Sequence, residues 1–107
     1  MNYLSKMEEI LLIAIWQLKD TAYGYNLRKH ILGIINREFS YGNLYSALNQ
    51  LEKKGYVLKF LGDTTESRRG KRKAFYSVTP DGQKALKESR ETHELLWSRV
   101  SLPELNG

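Results

Sequence analysis

A small, mainly α domain carrying one β-hairpin, α+β in class, is what this sequence predicts. Three observations predict it. Apolar residues recur at helical spacing over residues 3–18, 21–34 and 40–54. Between Tyr56 and Thr79 the period changes to two, on either side of a long polar turn. At Thr79 a Thr-Pro-Asp cap opens a fourth helical stretch. The chain has 107 residues, enough for one domain with one shared core. Its composition, 41% hydrophobic and 27% charged, is that of a folded chain rather than a disordered one.

The first helix is read over residues 3–18. Leu4, Met7, Leu11, Ala14 or Ile15, and Leu18 follow helical spacing. Ile10, Leu12, Ile13 and Trp16 add apolar groups round the rest of the circumference. A helix apolar on nearly all sides cannot face water in so small a domain, so a second subunit is expected against it. Its apolar run, Ile10 to Trp16, is too short to span a bilayer. Glu8 and Glu9 precede that run and no small-residue cleavage site follows it, so no signal peptide is expected. The chain has no cysteine, which excludes disulfides and thiolate metal sites and points to a reducing cytoplasm.

Thr21 resembles a cap for the second helix, whose core face is Tyr23, Leu27, Ile31 and Ile34. Gly24 in its first turn costs a helix about 1 kcal/mol relative to alanine, which suggests a close helix crossing. Arg28, Lys29 and Arg37 occupy outer positions suited to phosphates, while His30 has no ligand partner at metal spacing. Gly33 to Phe39 connects to the third helix, and the pair makes a helix-turn-helix candidate.

Ser40 caps the third helix, and Leu44, Leu48 and Leu51 share its inner face. Gly42, Ser46 and Asn49 point the other way, flanked by Asn43, Tyr45 and Gln50. Amides, hydroxyls and an aromatic, in place of the usual charges, suit hydrogen bonding to base edges and phosphates. Lys53, Lys54 and Gly55 close the helix.

Tyr56 to Leu61 reads as a strand, Gly62 to Gly70 as a turn, and Lys71 to Thr79 as the returning strand, with Ala74, Tyr76 and Val78 on one side. The hairpin is strongly basic. Residues 53–73 hold eight Lys and Arg against Asp63 and Glu66, a surplus larger than the +5 of the whole chain. A basic segment on a near-neutral body marks a polyanion-binding surface. Pro80 and Asp81 follow the Thr79 cap, and Leu86, His93 and Val100 then recur every seven residues with Leu96 between. This approximates a heptad seam interrupted by Ser89, Arg90 and His93, and Leu102 and Pro103 are expected to end it.

Helix, helix-turn-helix, two-stranded wing and long last helix is the order of a winged helix with a dimerising tail. "YGYNL" (Tyr23 to Leu27), "YGNLYSALNQLEKKGYV" (Tyr41 to Val57) and "RRGKRKAFYSVTPDGQKAL" (Arg68 to Leu86) resemble the PadR family of bacterial transcriptional regulators, in its short subgroup with a single C-terminal helix. The resemblance covers nearly the whole chain. It implies a homodimer that binds palindromic double-stranded operator DNA, usually as a repressor, and leaves the DNA when an effector binds. Carried over by position, Ser40, Tyr41, Gly42, Asn43, Tyr45, Ser46 and Asn49 belong to the reading helix, Tyr45 being the family's near-invariant tyrosine beside the DNA backbone. Arg68, Arg69, Gly70, Lys71, Arg72 and Lys73 belong to the wing tip. The family commonly has threonine at the place of Asn43 and proline at that of Ser46, so the preferred base sequence is expected to differ.

The expected organisation is a DNA-binding domain over 1–78, a dimerisation helix over 79–102 and a tail over 103–107. The expected dimer interface is Leu4, Leu11, Ile15, Leu86, His93, Leu96, Trp97 and Val100. Trp97 is also the candidate wall of a cleft for a flat aromatic effector, a role that tryptophans of this helix play in multidrug-responsive members of the family. The competing reading is a winged-helix module for protein or RNA contact. Both histidines are isolated, and no Gly-rich phosphate loop or nucleophile–base pair is present, so catalysis, cofactor and metal are not expected.

Overall fold

The structure is a computed structural model, described over residues 3–62 and 73–106. Four main helices and a two-stranded antiparallel sheet follow one another as α1 (Lys6–Leu18), α2 (Gly24–Ile35), α3 (Tyr41–Lys53), β1 (Val57–Leu61), β2 (Ala74–Val78) and α4 (Pro80–Trp97). A 3₁₀ turn, Lys19–Thr21, joins α1 to α2, and a short α5 (Leu102–Asn106) ends the chain.

Local chemistry sets these boundaries. Ser5 and Glu8 form a reciprocal capping box at the start of α1. The Ser40 hydroxyl accepts from the Asn43 N–H at 3.1 Å, and the Thr79 hydroxyl from the Gly82 N–H at 3.0 Å. Such caps contribute about 1 kcal/mol each. Asn36 ends α2 in the left-handed region. Gly55 has φ +77°, a conformation that favours glycine, and it turns the chain from α3 into β1.

In the sheet, Val57 faces Val78, Lys59 faces Tyr76 and Leu61 faces Ala74. The other side of β2 meets the start of α2: Tyr23 bridges Phe75, and the Tyr76 N–H donates to the Ala22 carbonyl at 2.9 Å. The core lies between α1, α2, α3 and the sheet. It is built from Leu11, Leu12, Ala14, Ile15, Ala22, Leu27, Ile31, Leu44, Leu48, Leu51, Val57 and Tyr76. Helix α3 therefore spends its leucine face on the core, as its spacing predicts.

Several expectations need correction. Thr21 does not cap α2: its hydroxyl donates to the Leu18 carbonyl at 2.7 Å, and the N-cap position is Tyr23, with no side-chain cap bond. Leu11 and Ile15 are 0% and 1% exposed inside this one chain, so they are core residues and not an interface. The apolar groups that α1 leaves outside are Ile13 and Trp16. Ile34, read as core, is 60% exposed, and the buried face of α2 is Gly24, Leu27 and Ile31. Helix α4 stops at Trp97, not at Leu102, which leaves Val100 outside any helix and puts part of the expected tail into α5. The reason lies at Ser98, whose hydroxyl donates to the Leu95 carbonyl at 2.7 Å and competes with the helical ladder. Tight turns at Arg99 and Val100 follow.

Candidate nucleic-acid interface

Helix α3 presents Tyr41, Gly42, Asn43, Tyr45, Ser46, Asn49 and Gln50 to the outside. A side chain at Gly42 would meet no atom within 4 Å, so the first turn of α3 offers bare backbone to an incoming surface. Ser40 is also exposed, but its oxygen is already engaged as the cap. Asn43, Ser46 and Gln50 line a groove of about 590 Å³ against Ser5, Met7 and Glu8 of the α1 end.

Two tyrosines are held in place from α2. Their rings stack at 6.3 Å with an interplanar angle of 23°. Tyr45 lies over Gly24, where a Cβ would come within 2.1 Å of its hydroxyl oxygen. The glycine thus makes room for the end of the tyrosine ring, where a close crossing of the two helices is expected. One turn on, the Arg28 guanidinium sits 4.8 Å from the Tyr41 ring centroid. The same group donates from Nε to the Phe39 carbonyl at 2.6 Å and pairs with Glu38. Arg28, read from sequence as a phosphate contact, is thus spent inside the protein, bracing the loop between α2 and α3. Lys29 and Arg37 remain exposed.

At the base of the hairpin, Tyr23 meets Phe75 edge-on at 5.5 Å, and Phe75 stacks on Phe60 at 5.8 Å. Lys73 lies 4.5 Å over the Tyr23 ring. Of the expected wing-tip residues, Lys73 alone falls within the described residues; Arg68, Arg69, Gly70, Lys71 and Arg72 lie outside them.

The model of the transcriptional regulator PadR-like family matches residues 11–88. The chain belongs to the PadR-like family of transcriptional regulators. A transcriptional regulator from Clostridium thermocellum is 29% identical, with a TM-score of 0.71 over 89% of this chain and 92% of that one. A PadR family regulator from hypervirulent Clostridium difficile has the same fold at 23% identity, with a TM-score of 0.72 over 94% and 98% of the two chains. A PadR-like transcription factor from Bacteroides fragilis superposes with a TM-score of 0.72 at 20% identity, over 84% and 82%. No curated protein matches. The fold is thus the winged helix of a PadR-like regulator, with α2 and α3 as its helix-turn-helix and β1–β2 as its wing.

The far side of this PadR-like domain is different in character. Helix α4 crosses α1, and between them lies an open cleft of about 670 Å³. Ile13 and Trp16 of α1 and Leu86 and Trp97 of α4 supply its apolar lining, with Glu9 and His93 among its polar groups. Leu86 is half-buried against the core, whereas Leu95, Leu96 and Trp97 are 70%, 63% and 55% exposed. Leu4 and Leu96 border a second hollow on the other flank of α4. Among the described residues, no helix is long and apolar enough to cross a membrane.

Two residues that sequence reading missed hold α3 in place. Glu8 is 5% exposed and receives the Lys54 ammonium at 2.9 and 2.7 Å. Burial acts to raise the Glu8 carboxyl, but the Lys54 ammonium and the Ser5 N–H outweigh it and hold it below the ordinary glutamate value. The capping signal Ser5-X-X-Glu8 was readable in the sequence. The Lys54 partner, 46 residues away, was not.

Proposed function

We propose that this chain is a homodimeric, sequence-specific repressor that binds palindromic double-stranded operator DNA and is released by a small aromatic effector. Helix α3 enters the major groove with Asn43, Ser46 and Asn49 toward base edges, while Ser40, Tyr41, Gly42 and Tyr45 meet the backbone. The wing, through Arg68, Arg69, Gly70, Lys71, Arg72 and Lys73, adds phosphate contacts beside it. The observation that carries this reading is the outer face of α3: uncharged and hydrogen-bonding, with its tyrosines already held by Gly24 and Arg28. A protein- or RNA-binding winged helix has no need of a reading helix preset in this way.

Dimerisation rests on the exposed apolar groups of Leu95, Leu96 and Trp97 on α4 and of Ile13 and Trp16 on α1, with Leu4 and His93 beside them. The effector reading rests on the cleft that Trp97 lines, whose apolar wall suits a flat aromatic ring.

Fluorescence anisotropy with a labelled duplex from the chain's own promoter region tests this. If each subunit engages about three to five phosphates, affinity falls by roughly 10³–10⁵ between 50 and 200 mM salt. The two half-sites lie about 10 base pairs apart. In a Trp16→Phe background, aromatic compounds that quench Trp97 saturably also release the duplex. A flat salt response would remove DNA as the partner. Unchanged emission over a broad panel would remove the effector.

A further inference from the structure

Two consecutive carboxylates in the first turn of α1 reach different helices. Glu8 turns toward α3, where Lys54 Nζ donates to both of its oxygens and the Ser5 N–H donates to Oε1 at 2.8 Å. Glu9 turns toward α4, where its Oε2 accepts from the Ser89 hydroxyl and meets His93 Nε2 at 2.9 Å. Lys6 lies 4.0 Å from its other oxygen. Successive residues on an α-helix are about 100° apart, so one rigid turn can address two neighbours at once. Both carboxylates are well enclosed, with side chains 7% and 14% exposed.

The places they hold matter. Lys54 caps the C-terminus of α3, one residue before the left-handed Gly55 that starts the wing. Ser89 and His93 lie one turn apart in the middle of α4, and His93 also lines the α1–α4 cleft. The leucine contacts of α1 with α3 are non-directional and tolerate small rotations. Charge-assisted hydrogen bonds are directional and fix how the turn is rotated. Any rotation of this turn that suits α4 therefore acts on the grip at Lys54.

We propose that Glu8 and Glu9 are positioning residues which couple the angle of α4 to that of α3 and the wing. A change at the α1–α4 cleft then reaches the DNA-facing elements through a single turn of backbone. This rests on the reading of the chain as a dimeric DNA-binding regulator, in which α4 sets the separation of the two α3 helices.

A double-mutant cycle tests it, with a duplex selected from a random pool by the parent protein as the probe. One arm is Glu9→Ala. The other is Glu8→Gln together with Lys54→Met, which leaves no buried unpaired charge and keeps an acceptor for the Ser5 N–H. The two arms engage different helices, α3 and α4, and changes that act independently multiply in their effects. Coupling predicts that Glu9→Ala weakens binding about tenfold in the parent but less than about twofold in the Glu8→Gln/Lys54→Met background. Thermal unfolding of each variant shows whether it is folded. Should Glu9→Ala not fold, His93→Asn at its exposed position takes its place. Amide exchange at Gln50–Gly55 in the free protein is a second readout, and it accelerates in Glu9→Ala or His93→Asn if the coupling holds. Effects that multiply, or an unchanged exchange rate at the end of α3, would overturn the coupling while leaving the DNA-binding reading intact. A parent that selects no duplex would overturn both.

Discussion

The α3 side of the molecule is braced from within the chain, and the α1–α4 side leaves large apolar groups open. On α3 the cap and the tyrosines are already braced: Ser40 is a cap, Tyr45 lies on Gly24, and Arg28 ties Tyr41 to the Phe39 carbonyl. At the end of α4 the exposed groups are large and apolar, with Leu95, Leu96 and Trp97 all more than half exposed. The difference teaches where each surface gets its order. A surface that must match a stiff polymer is pre-organised at the protein's own cost, because ordering it on contact would weaken binding. Under the proposed dimer, an apolar face can stay open in the single chain, since association itself buries it.

The comparison is most severely tested from the open side. Leu95→Glu with Leu96→Glu places two charges on the α4 face proposed for dimerisation. Sedimentation is expected to show a folded monomer. Operator affinity falls by about 10²–10⁴, the avidity lost when two half-sites are no longer held together. A dimer unaffected by both changes would move the interface elsewhere on the chain.

On the braced side the effects are smaller and of two kinds. Asn43→Ala removes an amide that faces outward, and it relaxes preference at one base position by about 1–3 kcal/mol in a binding-site selection. Arg28→Lys keeps the charge but loses the planar fork that reaches the Phe39 carbonyl and the Tyr41 ring together. It is expected to weaken all duplexes alike, with no change in the slope of log affinity against log salt. A direct phosphate contact would behave otherwise: lysine would substitute for arginine, and Arg28→Ala would reduce the slope by about one per subunit.

Near neutral pH the smallest effect is expected from the acid side. Against the pull of burial, Lys54 and Ser5 hold the Glu8 carboxyl below its ordinary value. Against the same pull, Ser89, His93 and Lys6 do so for Glu9. A carboxyl with a depressed folded pKa contributes stability that is present above its unfolded value and is lost as pH falls through the folded one. Thermal stability is therefore flat in this respect above about pH 5, given an unfolded glutamate pKa near 4.3, and declines below it. Glu8→Gln reduces that decline when melting is followed from pH 7 to pH 3.

What the sequence makes legible here are the features that act within a turn or a strand. Ser40, Thr79 with Pro80, and Gly55 mark element ends because caps and left-handed turns are local events. The leucine spacing of α3 separates its two faces for the same reason. In α1 periodicity fails. With Leu11, Leu12, Ile13, Ile15 and Trp16 all apolar, no stripe distinguishes the core face from the free one, and Leu11 and Ile15 fall on the wrong side of the reading. The polar braces are illegible for a different reason. Arg28 reaches the Phe39 carbonyl across 11 residues and Lys54 reaches Glu8 across 46, distances at which composition and spacing carry no signal. The end of α4 is misplaced because Pro103 looks like the stop, while the Ser98 hydroxyl interrupts the helix a turn earlier.

The division of α3 into two faces bears on how such a protein changes over time. Leu44, Leu48 and Leu51 are wholly buried, whereas Gly42, Asn43, Ser46 and Asn49 take no part in the core. Surface substitutions away from caps and buried groups usually alter stability by less than about 0.5 kcal/mol. A lineage can therefore pass through many combinations at these outer positions without ever losing a folded protein. Under the reading proposed for α3, duplicate copies of the gene could drift to new operators one outward residue at a time, while selection on foldability acts on a separate set of positions.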